Sequence, residues 1–300
     1  MAKLTTWLRA ARPRTVLLSF SGVMMGGFLA LTQDLFYPSV IVFAAFTAIL
    51  LQILSNLAND LGDFKKGTDN SRRKGPQREL QSGSISEKEM KIGIAIVGLA
   101  SLLSGGLLLL SVFLTSSNLV DIAVFAALGI AAILAALLYT LGKHPYGYRG
   151  LGDLFCFIFF GWVAVLGTYY LATKNLDFSV LLPASAMGFM SNAVLNINNM
   201  RDIENDRASG KNSLVVKIGL QRAFIYHLIL IIGAFAALTL FCLIKQLSWY
   251  CYTFWLLAPL FANDLVQIKK TEPTQLDPLL PKQVVKTFLL VLVFGGCLLI

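Results

Sequence analysis

The chain has 300 residues, of which 56% are hydrophobic and only 14% are charged, and its mean hydropathy is +0.71. A soluble domain carries about a quarter charged residues, so this composition excludes an ordinary soluble protein and predicts an integral membrane protein. The net charge of +9 would suit a nucleic-acid-binding protein. The basic residues are confined to segments between apolar runs, however, so we expect no nucleic-acid partner.

Nine apolar stretches have the length that a transmembrane helix needs, about 20 residues. They cover residues 15–33, 38–58, 92–115, 119–141, 153–173, 179–199, 223–245, 249–267 and 284–300. No small-residue cleavage site follows a short apolar core near the N-terminus, so we expect the first stretch to be retained rather than removed as a signal peptide. The pattern predicts an all-α, polytopic membrane protein, a single domain over residues 1–300 built as a bundle of nine transmembrane helices.

The basic residues predict the orientation of this bundle. Of the 25 Lys and Arg residues, 23 lie in the N-terminal segment or in the loops that follow even-numbered stretches, and only Lys174 and Lys245 lie on the other side. Loops rich in Lys and Arg stay in the cytoplasm. We therefore expect a multi-pass protein of the plasma (inner) membrane with a cytoplasmic N-terminus and, because nine is odd, a C-terminus on the opposite side.

Two clusters of acids and amides lie at the cytoplasmic ends of the second and sixth stretches, in residues 56–63 and 198–206. Acids are costly next to a bilayer and are rarely placed there without a partner. Residues four apart share one face of a helix, so each cluster predicts a stripe of oxygen ligands. The stripes are Asn56, Asp60 and Asp63 in the first cluster, and Asn198, Asp202 and Asp206 in the second.

Oxygen ligands of this kind suit Mg²⁺, and the absence of His and Cys from the stripes argues against zinc or iron. A metal also offsets the repulsion between carboxylates and a phosphorylated substrate. Nearby basic residues would complete an anion site; they are Lys65, Lys66, Arg72, Lys74, Arg78, Arg149, Arg207 and Lys211. The combination predicts recognition of a diphosphate, whose leaving group metal and basic residues stabilise when an allylic bond ionises.

A diphosphate at the end of an apolar bundle implies a lipid tail inside it, in a central cavity open to the cytoplasmic side. Aromatic residues of the fifth stretch are candidates to line that cavity, although packing or lipid contact is the commoner role for any one of them. The candidates are Phe155, Phe157, Phe159, Phe160, Trp162, Tyr169 and Tyr170. Arg73 and Lys88 lack the turn that precedes Arg78, and we interpret both as surface charges.

Six segments, in order along nearly the whole chain, have a distinctive composition. They are Ala11-Arg-Pro-Arg-Thr15, residues 56–63 with Lys66-Gly-Thr-Asp69, Gly75-Pro-Gln-Arg78, Tyr148-Arg-Gly-Leu-Gly-Asp153, residues 198–207 with Gly210-Lys211, and Asp277-Pro-Leu-Leu-Pro281. In these segments the chain resembles the UbiA superfamily of intramembrane prenyltransferases. Within the superfamily, the chain is most similar to the 1,4-dihydroxy-2-naphthoate polyprenyltransferases of menaquinone synthesis. The resemblance implies Mg²⁺-dependent transfer of a polyprenyl chain from its diphosphate to the naphthoate ring, with release of CO₂ and diphosphate, giving demethylmenaquinone.

The resemblance also implies roles for individual residues. The residues that would hold Mg²⁺ or the metal-bound diphosphate are Asp60, Asp63, Asp202 and Asp206, supported by Asn56, Asn59 and Asn198. The residues that would hold phosphate oxygens are Lys66, Arg72, Arg78 and Lys211, with Arg14 and Arg149 orienting the diphosphate or the carboxylate of the acceptor. Asp69 departs from the superfamily spacing because Gly67-Thr68 intervenes, and we interpret it as solvated.

Two other functions remain compatible with these patterns. A prenyltransferase of the same kind could use another aromatic acceptor, such as 4-hydroxybenzoate, homogentisate or a haem. A transporter could use the acids as ion sites, but such sites usually lie near the middle of the membrane on broken helices, whereas both clusters lie at the cytoplasmic edge. We therefore favour the enzyme.

Overall fold

The computed structural model describes residues 2–33, 36–70, 73–113 and 119–300, and this part of the chain is helical without strands. Its α-helices are α1 (Leu4–Ala11), α2 (Pro13–Ala30), α3 (Pro38–Lys65), α4 (Glu87–Phe113), α5 (Leu119–Leu138), α6 (Gly152–Cys156), α7 (Ala164–Thr173), α8 (Leu181–Arg201), α9 (Ile203–Ala208), α10 (Leu214–Ile218), α11 (Leu220–Ile244), α12 (Ala258–Lys270) and α13 (Leu279–Cys297). Short 3₁₀ segments connect them at Tyr146–Arg149, Phe178–Val180, Trp249–Leu257 and Pro273–Gln275, and a π-helical segment, Phe157–Val163, joins α6 to α7.

Seven helical segments of the described residues are long and apolar enough to cross a membrane. They are Pro38–Lys65, Glu87–Val112, Leu119–Leu138, Gly152–Thr173, Phe178–Arg201, Leu220–Ile244 and Leu279–Cys297. Each coincides with one of the nine predicted spans, so the prediction of an all-α polytopic membrane protein is confirmed.

The other two predicted spans are helical but are not among these seven. The first, 15–33, corresponds to α2, an 18-residue helix that begins at Pro13, includes the charged Arg14 in its first turn, and ends at Ala30. The second, 249–267, is split between a 3₁₀ segment and α12, with Pro259 at the start of α12. Proline has no backbone N–H and cannot continue the hydrogen bonding of the preceding turn, which accounts for a change of helix type at this point.

The main apolar core lies among α2, α7, α8, α11 and α13, where Val165, Met190, Leu238 and Val291 are fully buried. Glycine brings α2 and α7 into close contact, because a Cβ atom added at Gly26 would lie 2.5 Å from the carbonyl oxygen of Val165. Small residues at helix contacts are typical of packing inside membranes.

Two features of the helices place the acidic clusters at one end of this bundle. Helix α3 continues past the predicted end of its span to Lys65, so that the whole first cluster is helical. Helix α8 ends at Arg201 and α9 begins two residues later at Ile203. The short 3₁₀ turn Tyr146–Arg149 packs between these segments and ends at Gly150, whose φ of 77° is in the region that favours glycine.

Candidate functional site

The first cluster is buried inside the protein rather than exposed at its end. Asn56, Asp60 and Asp63 are 1% to 3% exposed and lie on successive turns of α3. The amide of Asn56 donates to the backbone oxygen of Ala11 at 2.8 Å, which fixes α3 against the segment before α2. Buried carboxylates of this kind require charged or hydrogen-bonding partners.

The side chains of the second cluster lie on one face, as predicted, although α8 ends just before Asp202 and α9 begins just after it. The backbone N–H of Asp202 donates to Asn198 at 3.1 Å, and that of Asp206 donates to Asp202 at 2.8 Å. These are the i to i−4 bonds of an α-helix, so the three side chains stay on one side. Asp202 and Asp206 are also buried.

Lys211 joins the two clusters into one site. Its Nζ lies 3.5 Å from Oδ2 of Asp63, and its backbone N–H donates to the backbone oxygen of Asp206 at 2.8 Å. Burial alone would lower the pKa of Lys211, but the carboxylates of Asp63 and Asp206 outweigh burial and raise this pKa well above its ordinary value. The lysine therefore stays charged between acids that are far apart in sequence.

Arginine side chains form ion pairs with Asp60 and Asp202. Asp60 pairs with the guanidinium groups of both Arg12 and Arg78. Arg201 binds both carboxylate oxygens of Asp202, at 2.9 and 2.7 Å, and also pairs with Asp277. Burial alone would raise the pKa of Asp202, but the hydrogen bonds and charge of Arg201 lower it overall. Bidentate pairs of this type are among the strongest hydrogen bonds in proteins.

The structure corrects the interpretation of Asp69 and Arg73 as solvent-facing. Asp69 is 6% exposed, and the Arg73 side chain, itself 8% exposed, approaches it to 3.2 Å. The segment after α3 folds back, with the backbone N–H of Asp69 directed at the backbone oxygen of Asp63 at 3.3 Å. Burial, together with the charge of Asp63, raises the pKa of Asp69 to about 7. A six-residue spacing therefore still brings this acid to the site, because the chain turns at Gly67.

The remaining predicted residues are placed as follows. Lys66 is exposed, with its Nζ 5.4 Å from the ring centre of Tyr148, and Asn59 accepts a hydrogen bond from Thr140 at 3.3 Å. Arg14 lies 3.8 Å from Asp277 rather than at the four aspartates. The Arg149 side chain is exposed. Arg72 lies outside the described residues, and Lys88 is exposed, as expected of a surface charge.

Three residues of the site are not evident from the sequence patterns: Arg12, Arg201 and Tyr148. Arg12 precedes the proline that starts α2 and has a φ of 51°, which directs the chain sharply at this point. Arg201 stands beside Asp202 in sequence, where it resembles any other basic residue of a Lys- and Arg-rich loop. The hydroxyl of Tyr148 donates to Asp63 at 2.9 Å. The Arg-Pro pair is a local sequence signal that could have pointed to Arg12. Arg201 and Tyr148 join the site only through tertiary contacts, which leave no local signal.

A cavity of about 480 Å³ runs from this site into the bundle. Its polar end is lined by Arg12, Asn56, Asp63, Arg78, Asn198 and Lys211, and its walls include Phe155, Phe159 and Phe160. The other candidate aromatics have different places: the Phe157 ring packs on Phe189 and Trp162, and Tyr169 is buried in the apolar core. The cavity thus combines a charged end with an apolar interior.

The chemistry of the site suits a hard divalent cation, since its side chains offer carboxylate and amide oxygens. Both carboxylate oxygens of Asp69 are buried and accept no hydrogen bond in the described part of the chain. Arg73 and Arg78 form ion pairs with Oδ1, so Oδ2 is the oxygen that calls for a further ligand. No group of three acidic, His or Cys side chains among the described residues is arranged to hold a metal ion. Mg²⁺ commonly takes one or two carboxylates together with substrate phosphates, so the residues fit a metal that binds with a diphosphate.

Known proteins resemble the chain over nearly its whole length. The sequence profile of the UbiA prenyltransferase family matches residues 19–280. The 1,4-dihydroxy-2-naphthoate octaprenyltransferases of Haemophilus influenzae and Escherichia coli are each 42% identical to it, the first over 99% of this chain and 97% of its own, the second over 98% and 95%. A UbiA homologue from Archaeoglobus fulgidus, solved with GPP and Mg²⁺ bound, has a TM-score of 0.66 at 16% identity and covers 98% of this chain and 99% of its own. At that identity the likeness establishes a shared fold.

Proposed function

The chain belongs to the UbiA prenyltransferase family, and from that premise we propose that it transfers a polyprenyl chain from its diphosphate to 1,4-dihydroxy-2-naphthoate. The ring carbon that bears the carboxylate is prenylated, and CO₂ and diphosphate are released. The immediate product is the hydroquinone form of demethylmenaquinone, because the dihydroxy ring loses no electrons in this exchange. The observation that carries this proposal is the meeting of both acidic clusters with Arg12, Arg78 and Lys211 at the charged end of an apolar cavity. The acceptor is assigned through the two relatives of 42% identity, which bear the name of that activity.

The basic residues at the charged end are suited to hold the diphosphate of the donor. Arg12 and Arg78 both reach Asp60, and Lys211 reaches Asp63, so these cations converge on one place. Guanidinium groups bind phosphate oxygens in pairs, whereas an ammonium acts as a point charge. In the proposal these three residues, with Lys66 at the exposed edge, stabilise the negative charge that develops on the leaving diphosphate.

The acids of the two clusters would hold the magnesium ion that accompanies the diphosphate. The candidates are Asp60, Asp63, Asp202 and Asp206, with Asp69 added because its carboxylate is buried beside Asp63 and accepts no hydrogen bond. A structural relative binds Mg²⁺ together with GPP, which supports the use of a divalent metal. When bound, the metal supplies positive charge to the leaving group.

The cavity walls would receive the polyprenyl chain and keep the reacting carbon dry. Phe155, Phe159 and Phe160 line the cavity, and all three stand in or beside the π-helical segment Phe157–Val163. An allylic cation is quenched by water, so exclusion of water preserves it until the ring attacks. Segments of π-helix often occur at functional sites, which agrees with this placement.

We extend the proposal to the membrane. The protein is a multi-pass membrane protein, and we propose that α2 and the segment 249–267 also cross the bilayer, giving nine spans. The charged end of the cavity would then face the cytoplasm together with the N-terminus, as the distribution of Lys and Arg predicts.

One assay tests the function. Membranes containing the protein are incubated with Mg²⁺, a polyprenyl diphosphate and one ring at a time: 1,4-dihydroxy-2-naphthoate, 4-hydroxybenzoate, homogentisate or a haem. We expect a prenylated lipid and CO₂ with the naphthoate alone. Product with a different ring and none with the naphthoate would contradict the acceptor but keep the reaction, whereas no product with any ring would contradict the enzyme.

A further inference from the structure

Tyr148 contacts Asp63 and lies beside Lys66 and Lys211, although it is neither one of the acidic nor one of the basic residues of the site. It belongs to the 3₁₀ turn Tyr146–Arg149 between α5 and α6, a segment that contributes no member of either acidic cluster. We infer that Tyr148 is a positioning residue, which fixes Asp63 and aligns Lys66 and Lys211 for the diphosphate. This inference rests on the proposed function and adds a residue to it.

The hydroxyl of Tyr148 is the part that holds Asp63. It donates to Oδ1 of Asp63 at 2.9 Å, while Lys211 approaches the other oxygen, Oδ2. Because the phenolic proton is given to the carboxylate, the hydroxyl of Thr68 donates to the tyrosine oxygen. With one neighbour on each oxygen, the carboxylate plane has little freedom to rotate.

The ring of Tyr148 is the part that aligns the lysines. The Nζ atoms of Lys66 and Lys211 both lie 5.4 Å from its centre, within the distance at which an ammonium is attracted to an aromatic face. Two ammonium groups repel each other and would separate without a shared partner. The ring therefore gives the two cations a common neighbour, whose hydroxyl also binds Asp63.

Tyr148 also connects the segments that carry the site. Its backbone oxygen accepts from the N–H of Asn212 at 3.2 Å, next to Lys211. Thr68, which contacts its hydroxyl, has a backbone oxygen that accepts from Asn205 of α9 at 2.7 Å. One tyrosine thus links the loop after α3, the turn before α6 and the loop after α9. Such links preorganise the geometry of the site.

Two substitutions separate the hydroxyl from the ring. Purified full-length protein is compared as wild type, Tyr148→Phe and Tyr148→Leu, with thermal unfolding measured against inorganic diphosphate in the presence of Mg²⁺. We expect Tyr148→Phe to raise the half-saturating diphosphate concentration by roughly tenfold, because a hydrogen bond to a charged group is lost. Tyr148→Leu should raise it by about a further threefold, because the cation–π contacts are lost as well. With farnesyl diphosphate as donor, both should raise the KM for the donor and leave the KM for the ring unchanged.

Tyr146→Phe is the matched control, since the Tyr146 hydroxyl in the same turn donates to the backbone oxygen of Ala135 at 2.9 Å. It should lower the melting temperature without changing the half-saturating diphosphate concentration. If folded Tyr148→Phe binds diphosphate as wild type does, the tyrosine has only a structural role and the inference is wrong; this variant is nearly isosteric and decides the matter even if Tyr148→Leu does not fold. A wild-type protein that shows no response to Mg²⁺ and diphosphate would instead contradict the proposed function, and the inference with it.

Discussion

At the scale of residues, the site consists of buried acids, of which Asp60, Asp63, Asp69 and Asp202 form ion pairs with cations of the chain. Asp60 has two such partners, and Asp202 shares Arg201 with Asp277. Removing one member of a buried pair leaves an uncompensated charge and typically costs about 3–5 kcal/mol. Substitutions at the site will therefore change stability as well as chemistry, and both have to be measured.

Asp60→Asn and Asp202→Asn should each lower kcat/KM by at least about 100-fold, as expected when stabilisation of the leaving group is lost. The amide keeps the shape of the side chain but neither binds a metal strongly nor balances an arginine. Glu204→Gln is the control, because Glu204 belongs to the same cluster but is exposed; it should behave as wild type. Either asparagine variant, folded and with most of its activity, would remove that aspartate from the site.

Arg78→Lys should raise the KM for the prenyl donor by about tenfold, within the 1–3 kcal/mol of a charge-assisted hydrogen bond. The guanidinium of Arg78 pairs with Asp60 and lies 3.8 Å from Asp63 and 3.6 Å from Asp69. Lysine keeps the positive charge but loses the forked geometry that reaches several acids at once. Steady-state kinetics with the prenyl donor varied and the aromatic acceptor at a saturating concentration would measure this KM.

Arg73→Lys and Lys88→Ala complete that comparison. The sequence alone predicts that both are silent, but Arg73 contacts the buried Asp69, so Arg73→Lys should now raise the donor KM as well. Lys88 is exposed and Lys88→Ala should have no effect. Equal losses at all three positions would show instead that the loop acts only as a diffuse positive field.

The acids of the site could be found from the sequence, whereas most of their partners could not. Asp60 and Asp63 stand out because acids at the end of an apolar run are costly and because helix periodicity places them on one face. Arg12, Arg201 and Tyr148 reach the same place from other segments, through contacts that no local spacing encodes. The prediction that Asp69 is solvated is wrong for the same reason. The position of Asp69 depends on a turn after α3 rather than on a helix face.

At the scale of elements, the long apolar runs located the spans but not their irregularities. Helix α3 continues seven residues beyond its predicted end at 58, because polar residues on its last turns are buried by neighbouring segments. The π-helical segment Phe157–Val163 had no signature, since a helix that is apolar on all sides shows no periodicity that an extra residue per turn would disturb.

Gly161, inside the π-helical segment, tests how tightly that segment packs. A Cβ atom at Gly161 would lie 2.6 Å from the backbone oxygen of Ala184 and 2.8 Å from Cα of Gly188. Gly161→Ala should therefore destabilise the protein by about 1–3 kcal/mol, the usual cost of overpacking, seen as a lower melting temperature in detergent. At Gly106, in α4, an added Cβ meets nothing within 4 Å, so Gly106→Ala should leave the melting temperature unchanged or raise it slightly. Equal effects of both changes would contradict this account of the packing.

At the scale of the whole molecule, the orientation in the membrane is the prediction with the simplest readout. Single cysteines placed at the exposed positions Ser82 and Ala208 should resist an impermeant thiol reagent in sealed cells and react after permeabilisation, because Lys- and Arg-rich loops stay in the cytoplasm. A cysteine at Ser248, exposed in the short loop after α11, should react without permeabilisation. Labelling of Ser82→Cys from outside would reverse the topology.

The pairing of acids with the protein's own cations has a consequence for the order of ligand binding. Arg12 and Arg78 serve as built-in counter-ions of Asp60, as Lys211 does for Asp63. Mg²⁺ alone would have to displace these cations, and diphosphate alone would meet the acids, so each ligand binds against resistance. With both ligands present, Arg12 and Arg78 would pair with phosphate oxygens, and the carboxylates they release would be free to hold the metal. Binding of Mg²⁺ and diphosphate should then be positively cooperative. The two ligands together should raise the melting temperature by more than the sum of their separate effects. The free protein should bind neither Mg²⁺ alone nor phosphate alone tightly.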